Sequence, residues 1–170
     1  MKIWLSLVFL YLFAAVSCKN TAAELPLPEA YQFRNQMGYV NDFADLLTLE
    51  QENELEKVFS DFDLATTNEL GVVTVTSIAP YTDISKFGDA LLEDWRFGKD
   101  DRFNGLLITV YPEGRQVSIR FGAGIQKKLS DAEAQVFLDQ ILLPAFKKGK
   151  YDEGITGVAD AIMKKLNTTD

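Results

Sequence analysis

Residues 70–121 read LGVVTVTSIAPYTDISKFGDALLEDWRFGKDDRFNGLLITVYPEGRQVSIRF. Leu70 to Ile78 is apolar and β-branched almost throughout, the pattern of a strand buried on both faces. Pro80-Tyr81-Thr82-Asp83 is a turn. Asp83 is placed to cap a helix from Ile84 to Phe97, with Phe87, Leu91, Leu92 and Trp95 on its buried face and Gly98 as its stop. A polar loop, Lys99 to Gly105, leads into a second strand, Leu106 to Tyr111. Pro112-Glu113-Gly114-Arg115 turns the chain into a third, Gln116 to Phe121. Strand, helix, strand calls for a parallel pair with a right-handed crossover, and the hairpin adds an antiparallel neighbour.

Helices are expected on both sides of this segment. Thr48 and Gln51 make a T-x-x-Q capping box for a helix from Leu49 to Ala65, with Glu50 and Glu52 in its positive first turn. Its apolar stripe is Leu55, Val58, Phe59 and Phe62, and Asn68 can end it. After the break at Gly122-Ala123-Gly124, the box Ser130-Asp131-Ala132-Glu133 opens a helix to Leu143, which Pro144 bends or restarts. A last helix runs from Asp152 to Leu166. Gly38-Tyr39-Val40 can add an edge strand. The fold class is α/β: a three-layer α/β/α sandwich around a small mixed sheet of three to four strands.

The 170 residues suit one domain. The formal charge of −8 disfavours a nucleic-acid partner and favours cations. There is no histidine, which excludes Ser-His-Asp and Cys-His catalysis and imidazole metal sites. The single cysteine, Cys18, allows no internal disulfide. Met1-Lys2 precedes an apolar run to Val16, about 14 residues against the ~20 needed to span a bilayer, and this reads as a signal peptide. Ala15-Val16-Ser17-Cys18 resembles a bacterial lipobox, with acylation at Cys18. The alternative is plain secretion by cleavage near Ser17. The expected organisation is a signal peptide at 1–17, lipidated Cys18 and an extended tether at 18–37, the domain at 38–167 and a tail at 168–170. Leu25-Pro26-Leu27-Pro28 favours extended backbone in the tether.

Two polar segments are candidate sites. Asn41, Asp42 and Asp45 put oxygen donors just before the first helix, suited to a hard cation. The bland reading is helix-entry chemistry, with Asp side chains bonding nearby backbone N–H groups. Asp100-Asp101-x-x-Asn104-Gly105 resembles part of a calcium loop but fails as an EF-hand, with Arg102 at position 3 and Tyr111 at position 12. Its bland reading is a polar loop with an Asn-Gly turn. Arg96, Lys99 and Arg102 flank it as a phosphate-binding set or as solvated charges. Gly122-x-Gly124 allows close backbone approach, but the dinucleotide fingerprint fails at Lys127 and no helix is expected there. Trp95 and Phe97 read as core. Lys147-Lys148-Gly149-Lys150 suits a helix C-terminus and could touch anionic headgroups.

Several motifs occur in one order: Val40-Asn41-Asp42-Phe43-Ala44, Trp95-x-x-Gly98, Asn104-Gly105-Leu106-Leu107, Gly122-Ala123-Gly124, Leu143-Pro144-Ala145-Phe146 and Tyr151-x-x-Gly154-Ile155. Together they resemble the TPM domain family over about residues 38–166. The resemblance implies an α/β/α sandwich and a divalent-cation site, usually calcium, with magnesium as the alternative. It also implies that the Asp100–Asn104 loop lies beside Asp42, giving a ligand set of Asp42, Asp100, Asp101 and Asn104. Phe103 stands where a further Asp or Asn is common. In plant members the family carries an acid phosphatase activity, for which Asp45 would be the catalytic base. The favoured expectation is a monomeric, lipid-anchored binding module of a bacterial cell envelope, facing the periplasm or exterior and meeting an envelope protein. The alternative is a metal-dependent phosphomonoesterase.

Overall fold

The computed structural model describes Phe33 and residues 35–168. The signal peptide, Cys18, most of the tether and the last two residues lie outside these. Four strands and six α-helices follow in order: β1 (Val40–Asp42), α1 (Leu49–Thr66), β2 (Glu69–Thr74), α2 (Ile84–Asp94), β3 (Gly105–Tyr111), β4 (Gln116–Phe121), α3 (Ala123–Gln126), α4 (Asp131–Phe137), α5 (Leu143–Phe146) and α6 (Tyr151–Asn167). A π-helical segment, Leu138–Leu142, joins α4 to α5.

The sheet order is β1-β2-β3-β4. β1 and β2 run parallel to β2 and β3 respectively, and β3 and β4 are antiparallel. Side chains alternate between two cores. Leu70, Val72, Leu106, Ile108, Val110 and Ile119 face α1 and the C-terminal helices. Val73 and Leu107 face α2. The three-layer sandwich is therefore present, with four strands. The helices α1 and α2 cover opposite faces while strand order advances one way, so the two parallel crossovers have opposite hands. One of them departs from the right-handed preference.

Local chemistry explains most boundaries. Both capping boxes form, Thr48 with Gln51 and Ser130 with Glu133. β2 stops at Thr74 rather than Ile78, because only Val75 N–H still reaches the next strand, donating to Val110 C=O at 2.8 Å. α2 stops at Asp94, and Phe97 turns inward to lie against Gly71. Phe97 is core, and Trp95 is half-buried against the α2-side core. Pro144 lacks an N–H, yet the helix is not broken: the preceding turn widens so that Leu143 N–H donates to Leu138 C=O. A helix does open beside Gly122-x-Gly124, contrary to expectation: α3 is one turn with Gly122 as its N-cap. Part of the tether lies on the domain, Phe33 meeting Phe87 edge-on at 5.5 Å.

Candidate functional site

Asp42 closes β1 and is half-buried. One carboxylate oxygen accepts the N–H of Leu47 at 2.7 Å and the other accepts the Thr74 hydroxyl. The same Thr74 oxygen accepts the N–H of Ala44 at 2.9 Å. Asp42 thus braces the turn into α1, the helix-entry role weighed from sequence. Asp45 sits at that turn in a left-handed conformation, φ 55°, with its side chain exposed. Glu52 completes an acidic group. Its carboxyl is pushed above the usual range first by burial and then by the charges of Asp42 and Asp45. Sequence reading took Glu52 only as a helix-dipole residue. Thr74 and Glu52 are the neighbours of Asp42 that the sequence does not mark, and nothing in the spacing signals the contact of Thr74 across to β1.

Asn41 belongs elsewhere. It is fully buried, accepting Met37 N–H at 2.8 Å and donating to Gly38 C=O at 3.0 Å, so its amide clamps the entry to β1.

The second loop lies at the other end of the sheet. In the β1-β2-β3 register Asp42 stands opposite Thr74, whereas Asn104 directly precedes Gly105, which pairs with Glu69. Five residue steps separate Glu69 from Thr74, roughly 16 Å at ~3.3 Å per residue. The ligand set Asp42, Asp100, Asp101 and Asn104 therefore does not form around one ion. The expectation that the two loops lie side by side is corrected by strand polarity: Asp42 follows a strand, and Asn104 precedes one parallel to it.

Asn104 is buried with its amide occupied. Its side-chain oxygen accepts Lys99 N–H at 2.8 Å, and its NH₂ donates to Thr67 C=O. Asp100 and Asp101 are exposed, and Asp101 pairs loosely with Arg102 at 3.7 Å. Lys99 reaches back to Asp63 at 3.1 Å and to Glu69. The hydrogen bonds it donates to these two carboxylates hold its ammonium above the usual lysine range, Glu69 contributing most. Arg102 donates to the Thr67 hydroxyl at 2.6 Å. Of the three cations read as a phosphate-binding set, Lys99 and Arg102 are thus tied to the protein, while Arg96 is exposed in a left-handed turn. Phe103 is 63% exposed, also left-handed, and its C=O accepts Gly124 N–H at 2.9 Å. A Cβ on Gly122 or Gly124 would strike the backbone of Phe103 or Arg102 at 2.2 and 2.1 Å. The G-x-G pair is close packing against the loop.

Among the described residues no three or more Asp, Glu, Cys or His side chains gather closely enough to hold a metal on their own. At the Asp42 edge the charges of Asp42 and Asp45 bear on Glu52, and an ion there would draw the rest of its oxygens from turn carbonyls and water.

The TPM domain family model matches residues 40–165. Among solved structures, the N-terminal domain of a protein from P. gingivalis superposes with a TM-score of 0.70 at 27% identity, covering 76% of this chain and 82% of that one. The N-terminal domain of a protein from Corynebacterium glutamicum superposes with a TM-score of 0.60 at 16% identity, covering 85% and 90%. A comparison with curated proteins finds no match. With the family model covering well over half of its length and the mixed four-stranded sandwich beneath it, the chain belongs to the TPM domain family.

Proposed function

We propose that this is a lipid-anchored binding module of a bacterial cell envelope, facing the periplasm or exterior, whose Asp42 edge takes a divalent cation, calcium before magnesium. The observation that carries the cation reading is the placement of Asp42 at the end of β1 and Asp45 in the exposed turn after it, with Glu52 of α1 close enough to feel both charges. A cation relieves that repulsion, and flexible coordination by mixed carboxylate, carbonyl and water oxygens suits calcium. Asp42 keeps lone pairs beyond the two N–H and O–H bonds it accepts. The anchor would be Cys18, the only cysteine. Hydrolysis of a phosphomonoester finds less support. Asp45, its base, lies at one end of the sheet and Arg96, Lys99 and Arg102 at the other, about 16 Å apart along β2.

A calcium titration followed by amide NMR tests the cation. Residues 40–52 are expected to shift, and residues 98–106 to stay still. A ligand that binds only the folded state stabilises by RT ln(1 + [L]/Kd), ~2.7 kcal/mol at a hundredfold excess over Kd, so EDTA should lower the Tm. Asp45→Asn with Glu52→Gln should abolish both responses while leaving the Asp42–Leu47 brace intact. No shift at millimolar calcium ends the cation reading. Mass spectrometry of the mature N-terminus tests the anchor: a diacylated or triacylated Cys18 is expected, and a free N-terminus after Cys18 refutes it.

A further inference from the structure

A groove between α1 and α6 has an apolar floor of Leu55, Val58, Ala159 and Met163. Its rim carries Glu54 from α1 and Asp152 and Asp160 from α6. No lysine or arginine lines it, and none of the three carboxylates makes a salt bridge among the described residues. Val58 is 37% exposed there, a β-branched side chain left open in the middle of an otherwise well-capped helix. The cavity is about 140 Å³. That is well below the ~300 Å³ at which small-molecule pockets begin, and suits one inserted side chain.

We propose that this groove docks a basic amphipathic helix of a partner protein, one that seats a large apolar side chain on Val58 and Met163 and presents Lys or Arg to Glu54, Asp152 and Asp160. The argument is charge complementarity around an apolar seat. An apolar anchor gives affinity, and opposite charges at its rim give orientation and encounter rate. A groove between two helices is the shape that receives a third. The charge of −8 on the whole chain adds long-range steering of a cationic partner. The inference deepens the binding-module reading but stands on a helical face away from the Asp42 turn, so the two are tested separately.

The probe is an 18-residue Lys/Leu amphipathic helix added to the purified protein, with a Glu/Leu isomer of the same pattern as control. Binding is read by the anisotropy of a fluorescein label on the peptide and by amide NMR of the protein. The Lys/Leu peptide is expected to shift residues 54–58 and 152–163, and the Glu/Leu peptide is not. Replacing the rim together (Glu54→Gln, Asp152→Asn, Asp160→Asn) is expected to weaken binding about tenfold, since each exposed pair contributes modestly. Raising the salt should do the same. These surface changes leave the core intact, and an unchanged Tm verifies this for each variant. Val58→Asp should weaken binding with the rim still charged. The proposal is overturned if both peptides bind alike, or if the rim variant binds as tightly as the parent. It is also overturned if calcium alone shifts residues 54–58 and 152–163, making the groove a cation site. Concentration-dependent dimerisation lost in the rim variant would overturn it in favour of a second copy of this chain. A negative peptide result beside an intact calcium response removes the groove and leaves the cation reading standing.

Discussion

At the scale of single residues, the side chains that matter most are bonded in ways their type announces but their position conceals. Asn104 followed by Gly105 looks like a turn, yet its amide is a buried clamp joining Lys99 to Thr67. Asn104→Ala should therefore cost about 1–3 kcal/mol, because it removes two part-buried hydrogen bonds at once, one from Lys99 N–H and one to Thr67 C=O. Urea denaturation measures it, and the calcium response at residues 40–52 should survive in the folded variant. A loss below 0.5 kcal/mol would show that water replaces the amide. The helix-entry role of Asp42 was legible from sequence, since an Asp just before a capped helix so often bonds the turn. That Thr74 completes the brace was not, because a cross-strand hydroxyl contact depends on register and leaves no local trace. Asn41 was misplaced for a related reason. Adjacent strand residues point to opposite faces, so Asn41 and Asp42 could not share one cluster.

At the scale of elements, strands β3 and β4 and the starts of α1, α2 and α4 fall where the sequence puts them. Alternation, turn residues and capping boxes are local signals, and burial here agrees with them. Ends are less legible. β2 loses four expected residues and α2 three, each because the chain leaves to fill a core position that only the assembled sheet defines. Close approaches are also invisible beforehand. A Cβ on Gly88 would lie 2.9 Å from Arg120 Cγ and 3.1 Å from Ser118 Oγ, whereas on Gly105 it would meet the carbonyl oxygen of Phe97 at 2.1 Å. In the first case the nearest neighbours are side chains that can give way, and in the second they are backbone. Gly88→Ala is expected to cost about 1–3 kcal/mol, as for overpacking, and Gly105→Ala clearly more. Thermal melts of the pair check the order, and equal Tm values would contradict it.

At the scale of the whole molecule, strand polarity separates the two polar loops, and this much could have been read from the element order alone. The loop end with Asn104 is held by a network in which Tyr39 O–H donates to Asp63 at 2.8 Å and Lys99 joins Asp63 to Glu69. Burial, then the hydrogen bond to Asp63, raises the Tyr39 phenol from 10.0 to about 12. A group whose proton is held more tightly in the fold stabilises fully below its unfolded pKa, and that stability is lost as pH rises through the folded one. Stability should therefore fall between pH 10 and 12, and Tyr39→Phe should flatten that limb relative to the parent. An unchanged alkaline slope in the variant would remove Tyr39 as its source. The other end of the sheet is tied differently. β1 is an edge strand of three residues, paired to β2 only at Val40, Asn41 and Asp42. Elements with so little pairing open before the rest of a domain does. The acidic turn thus hangs from the first piece to let go, and a cation bound there would act as a latch on time rather than on shape. Amide hydrogen exchange at Val40–Asp42 should slow in calcium, while Leu106–Val110 in the central strand keep their pace.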